Sequence, residues 1–294
     1  MAIPAGCARL SGQPRRSCGG LDFRPITGGA EEIPMDMQKM SQRQAAFRAD
    51  FRTRIAPAYA GWVHVALIYA LGLVAIWYCA RQVVAPAWYE FLVIPVAFCI
   101  SNAFEWWIHR YVMHRPVKGF MGIYKRHTLA HHQFFTHIEP TIDNTRDFRI
   151  VFFPPYALVA FMALSLPPAT VLGLIGLPNM GWLLLITNVG LYLNYELFHF
   201  CCHVKDDSIV RHIPIVNSLR RHHIAHHNTA LMMERNFNLT YPIADWFFGT
   251  SDLACGVLRH LFNGYDTRFV RRDLKRVRNT SDDPRAGHVQ VAAE

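Results

Sequence analysis

Residues 59–80 contain no Asp, Glu, Lys or Arg, a run of 22 positions that is the strongest constraint on how this chain can fold. At 1.5 Å per helical residue the run reaches about 33 Å, enough to cross the hydrocarbon core of a bilayer. A second run, 86–108, is interrupted only by Glu90 and Glu105, and two more follow at 150–175 and 180–198. Pro154, Pro155, Pro167 and Pro168 are expected to break or kink the third. With 52% apolar residues bunched in this way, the chain reads as an integral membrane protein crossing about four times.

The basic residues set the orientation. Every Lys and Arg except Arg81 falls before residue 57, between 105 and 149, or beyond 204. The positive-inside bias therefore places both termini and the segment between the second and third runs in the cytoplasm, at a bacterial inner membrane or the endoplasmic reticulum. The net charge of +9 suits anionic lipid headgroups. It does not suggest nucleic acid, because no aromatic-interleaved basic module accompanies it. Seven cysteines, at 7, 18, 79, 99, 201, 202 and 255, form no paired framework, as expected in a reducing compartment.

Three regions are expected. Residues 1–40, rich in Gly, Pro, Ser and Arg, read as a flexible segment. Arg15-Arg16 lacks a following apolar region of signal-peptide length, and Met35, Met37 and Met40 are alternative starts. Residues 41–265 form the membrane-embedded domain, entered through an interfacial amphipathic helix at 41–55 with Phe47, Phe51 and Ile55 on one face. Residues 266–294 read as a loose basic tail.

Ten of the 16 histidines lie in four groups beside the apolar runs: HRYVMH (His109, His114), HTLAHH (His127, His131, His132), HFCCH (His199, His203) and HIAHH (His223, His226, His227). A helical HxxxH puts two imidazoles on one face, as at His199 and His203. HxxxxH turns the second imidazole off that face, so His109 and His114 share an ion only where the helix is ending, as Pro116 suggests. Neighbours on a helix diverge by about 100°, so each doublet implies two metals, or one metal and a supporting role. Ten imidazoles exceed the needs of one four- to six-coordinate ion and suit two. His222 is an alternative to His223. His64, His137, His212, His260 and His288 read as core or interfacial histidines, and Cys201 and Cys202 as small apolar filler.

These residues resemble the fatty acid hydroxylase and sterol desaturase superfamily of membrane di-iron enzymes over about residues 100–250. The resemblance is carried by EWWIHRYVMH, by RHTLAHH followed by DFRIVFFPP, by YELFHFCCH, and by RRHHIAHHN followed by NFNLTYPIADWFFGT. It implies that His109, His114, His127, His131, His132, His199, His203, His223, His226 and His227 are metal ligands holding two iron ions, with zinc as the other metal such sites suit. It also implies an all-α fold of about four transmembrane helices under a cytoplasmic helical cap that carries the dimetal site. Glu105 and Glu196 are placed to orient imidazoles by accepting their outer N–H groups. Asp245 is expected to fix the C-terminal segment by hydrogen bonds. The chain has no His-Pro-Gly-Gly haem signature, so the electrons are expected from a separate reductase chain.

The expected activity is oxygen-dependent hydroxylation of a fatty-acyl chain, a sterol-like lipid or a lipid headgroup. Desaturation at the same site is the near alternative. A metal-dependent lipid hydrolase and a membrane metal transporter are the rivals from other classes, the latter disfavoured because ionisable residues are scarce within the runs.

Overall fold

The computed structural model describes residues 35–205 and 209–274. The 1–34 part of the N-terminal segment and the end of the tail lie outside the described residues. The described chain is helical, and its one extended pairing is an isolated antiparallel bridge between Leu253 and Val270.

Helix α1 (Met35–Thr53) precedes two helical hairpins. In the first, α2 (Gly61–Gln82) turns through the short 3-10 segment Trp88–Leu92 into α3 (Val93–Ile108). In the second, α5 (Pro155–Leu174) turns into α6 (Pro178–His203), and between the hairpins α4 (Met121–Arg126) runs towards His132–Phe134. Helix α7 (Pro214–His226) and the short helices α8 (Ile243–Phe247) and α9 (Val257–Phe262) complete the fold.

Among the described residues, three stretches are long and apolar enough to cross a membrane: Gly61–Gln82, Trp88–Met113 and Thr145–Leu174. The fourth expected span, 180–198, falls within α6 but is more polar, carrying Asn188, Asn194 and a fully buried Glu196. The reason is its position. Helix α6 packs against α2, α3 and α5 together, so much of its surface meets protein, where polar groups find partners. Close approach supports that packing: a Cβ on Gly72 of α2 would lie 2.8 Å from the Leu193 side chain of α6.

Two local expectations hold in part. The third run is broken at residues 152–154, after the short helix Phe148–Val151, and Pro155 starts α5, where its missing N–H is harmless, whereas Pro167 and Pro168 lie inside α5 and do not end it. Helix α1 is present, and its apolar face is covered by protein. Phe47 and Phe51 pack on a core containing Ile68, Phe134, Phe148 and Leu158. Its buried Gln44 donates to the Phe134 and Glu139 carbonyls at 2.8 Å, and Arg48 donates to the same two oxygens at 2.8 and 2.6 Å. Arg52 completes the attachment by pairing with the buried Asp147 at 2.8 Å.

The start of the expected loose tail is also ordered. Arg271 donates to the Ser251 carbonyl at 2.8 Å, and Val270 and Leu274 are buried against Leu253. These apolar side chains have a surface to cover, which composition alone did not reveal.

Candidate metal centre

Each histidine group sits at the end of a helix, and the four ends converge. Helix α3 continues from Ile108 into a π-helical turn, His109–Met113, closed by the His114 N–H donating to the His109 carbonyl at 3.2 Å. Helix α4 does the same through His127–His131, where the His132 N–H donates to the His127 carbonyl. The wider turn brings residues five apart onto one face, which an α-helix cannot do. HxxxxH therefore works here through a π turn, and the same spacing separates His127 from His132.

The imidazoles form two buried clusters. His109, His114, His127, His132 and His226 make the first, and His131, His199, His203 and His223 the second. In the first, Nε2 atoms lie 2.8 Å apart for His109 and His127, 3.2 Å for His109 and His114, 2.9 Å for His114 and His226, and 3.1 Å for His127 and His132. In the second, the separations are 3.2 Å for His131 and His199, and 3.1 Å for His203 and His223. His227 joins the second, with Nε2 3.2 Å from His131 and 3.0 Å from His223, while its ring stacks on His132 of the first at 4.3 Å. Both doublets are thus split between the clusters.

The donor chemistry fits a cation. His226 Nδ1 donates to the Arg235 carbonyl at 2.8 Å, and His109 Nδ1 donates to that of Phe237. Thr128 gives its hydroxyl proton to the Met113 carbonyl, so it accepts from His114 Nδ1 at 3.3 Å. With the proton on Nδ1, each of these rings turns a bare Nε2 lone pair inward. In the second cluster His203 and His227 are fixed likewise by the Pro140 and Phe135 carbonyls, both at 2.6 Å. Lone pairs in contact repel, and a metal ion between them removes the repulsion.

Burial reinforces neutrality. It holds His127, His131, His132, His223 and His226 well below the usual histidine range, aided by the neighbouring imidazoles, and pulls His114 down to about 2 and His227 to about 3.

Glu105 and Glu196 do not touch imidazoles. Glu105 Oε1 accepts from the Leu239 and Thr240 N–H groups at 2.6 and 2.9 Å, and Oε2 accepts from the Thr240 hydroxyl at 2.5 Å. Glu196 accepts from the Phe153 N–H at 3.1 Å. Both carboxylates tie loops to helices because those loops present free backbone donors, whereas the imidazoles are held by carbonyls.

Asp245 fixes the C-terminal segment. It accepts from the Phe237 and Asn238 N–H groups at 3.0 and 2.6 Å, from the Thr250 hydroxyl at 2.6 Å and from His222 Nε2 at 3.0 Å. His222 thus faces away from the clusters. Asn236, in the left-handed region at φ 60°, donates to the His222 carbonyl at 3.0 Å and helps shape the loop that offers the Arg235 and Phe237 carbonyls. Those carbonyls are backbone atoms, so residue type gave no sign of their role.

The remaining histidines and cysteines are elsewhere. His64 is held between the Tyr59 hydroxyl at 2.8 Å and the Phe153 carbonyl at 2.9 Å, and His260 bonds the Ser251 hydroxyl at 2.7 Å. His212 is exposed, and His288 lies outside the described residues. Cys201 and Cys202 are buried without joining either cluster.

A cavity of about 370 Å³, lined mostly by apolar side chains and by none of the clustered histidines, reaches residues that neighbour them in sequence. Ile108, Met113 and Arg126 line it and are each adjacent in sequence to a clustered histidine. It extends between α3, α5 and α6 towards Phe98, Leu164 and Leu191. Ten residues of helix separate Phe98 from Ile108, about 15 Å.

The family model described as fatty acid hydroxylase matches residues 94–250, more than half of the chain and all four histidine groups. The chain belongs to the fatty acid hydroxylase family. Comparison with curated proteins and with solved structures gave no match. Family membership, apolar helices and the buried histidine clusters together suggest a histidine-dependent lipid oxygenase.

Proposed function

We propose that the protein is an oxygen-dependent di-iron lipid hydroxylase, with His109, His114, His127, His132 and His226 holding one ion and His131, His199, His203, His223 and His227 the other. The observation that carries this reading is the convergence of ten buried imidazoles, beside which runs an apolar cavity lined by their sequence neighbours Ile108, Met113 and Arg126. Bound iron would supply the reductive activation of oxygen needed to hydroxylate an unactivated C–H bond. In the overall reaction a lipid C–H, oxygen, two electrons and two protons give an alcohol and water, with the electrons from a separate reductase chain.

The chain's own residues set the conditions. The carbonyls of Phe237, Arg235, Pro140 and Phe135 hold the ring orientations and leave Nε2 free to bind the ions. The apolar lining keeps water away and accepts a lipid chain lying alongside α3 and α5. Placement of that chain decides between an alcohol and, on loss of a second hydrogen, a double bond. The domain extends over 41–265, with the clusters and both termini on the cytoplasmic side.

Metal analysis of the full-length protein purified from membranes tests the reading. It predicts two irons per chain and oxygen- and reductant-dependent conversion of a lipid. Zinc alone, with lipid hydrolysis that needs no oxygen, would overturn it.

A further inference from the structure

Outside the apolar helices, α8 and α9 carry a second apolar surface. Phe247, Leu258 and Phe262 are 73%, 71% and 60% exposed, and Trp246, Phe248 and Tyr265 are exposed beside them. Isolated exposed apolar residues need no explanation, but a contiguous group of large ones marks a contact surface. This one begins where the apolar surface of α3 ends. Phe248 stacks on Trp106 of α3 at 4.2 Å, and the next residue, Trp107, is exposed and lies 6.1 Å from the exposed Phe104.

The rim is basic. A groove lined by Trp246, Leu258 and Phe262 is bordered by Arg259 and Arg268. Asp266 on the same border is paired with Arg268 at 2.6 Å, and Arg259 lies over the Phe269 ring at 4.2 Å. Aromatic and aliphatic side chains flanked by arginines match the boundary between acyl chains and anionic headgroups, where rings bury their bodies and guanidiniums reach phosphate.

We propose that the surface formed by α8, α9 and residues 246–248 is seated in the headgroup–acyl boundary of an anionic phospholipid bilayer. The inference rests on reading α2 and α3 as spans of that bilayer. It makes the C-terminal segment a membrane anchor that holds the histidine clusters close to the lipid surface.

Photo-crosslinking of the full-length protein in vesicles of equal parts phosphatidylcholine and phosphatidylglycerol tests this. A benzophenone-bearing phenylalanine replaces Phe247 or Leu258 in the test proteins, Val63 on the exposed face of α2 as the lipid control, and Arg272 as the aqueous control. The expected result is a chain heavier by one phospholipid at 247 and 258, as at 63, and none at 272. A lipid adduct at 63 with none at 247 and 258, a cross-link between two chains from those positions, or equal lipid labelling at 272 would overturn the proposal. Absence of lipid at 63 as well would overturn the spanning reading and the anchor with it.

Discussion

His222 and His223 are adjacent in α7 and face opposite ways: His223 Nε2 lies 3.1 Å from His203 Nε2, whereas His222 Nε2 lies 3.0 Å from Asp245 Oδ2. One side chain belongs to a cluster and the other to the loop behind it. The separation follows from the angle of about 100° between successive helical side chains.

The pair gives a direct contrast. His223→Ala is expected to lower the iron content from two to one per chain and abolish lipid oxidation. His222→Ala should keep both ions but leave a buried donor–acceptor pair broken, costing about 1–3 kcal/mol of stability. Metal analysis beside thermal unfolding in detergent separates the two, and loss of metal in His222→Ala would contradict the assignment.

Glu105→Gln should act on the loop and not on the metal. An amide keeps one acceptor oxygen but turns an NH2 group towards donors now satisfied by carboxylate, at a cost of about 1–3 kcal/mol. His109 remains held by the Phe237 carbonyl, so the iron content should not change. A fall in iron with no fall in unfolding temperature would show the carboxylate acting on the imidazole after all.

Asp252 sets an acid limit on stability. Burial pushes its carboxyl up, but two bonds from Arg221, at 2.7 and 2.8 Å, and that residue's charge outweigh burial and hold it at about 2. A depressed folded-state pKa stabilises the fold above the unfolded value of about 3.9, and this stabilisation is lost as pH falls through about 2. The contribution is on the order of 2–3 kcal/mol. Arg221→Gln should begin to unfold at higher pH than the parent in an acid titration followed by tryptophan fluorescence, and coincident titrations would contradict the coupling.

Filling the cavity should block substrate and spare the metal. Ala157 lines the cavity from α5, and Ala157→Trp would place an indole in the space assigned to a lipid chain. The expected outcome is a loss of lipid oxidation of at least about tenfold, equivalent to about 1.4 kcal/mol, with iron content unchanged. Undiminished turnover would remove this cavity from the account.

The helical hairpins were legible because lipid and helix length impose a simple requirement on sequence. Helix α6 carries a weaker signature: enclosed by three other helices, it tolerates Asn188, Asn194 and Glu196, which dilutes the apolar signal that marks a span. The histidines themselves stood out by type and spacing. Their division into two clusters did not, because it depends on two π turns and on which neighbour of each doublet faces which cluster. A sign was available in the five-residue spacing, which occurs at both His109–His114 and His127–His132. The carbonyls fixing the rings leave no trace in residue type, so Glu105 and Glu196, as the nearest acceptors by chemistry, were the natural but incorrect choice.

The central claim is that ten histidines hold iron for lipid hydroxylation. The most direct test is lipid mass spectrometry on a host expressing this chain under oxygen-18 gas, beside the same host expressing His131→Ala at equal protein level. The account predicts a lipid class that gains one labelled oxygen only with the unmodified chain. An identical lipid profile in both hosts, together with purified protein that contains no iron, would contradict it.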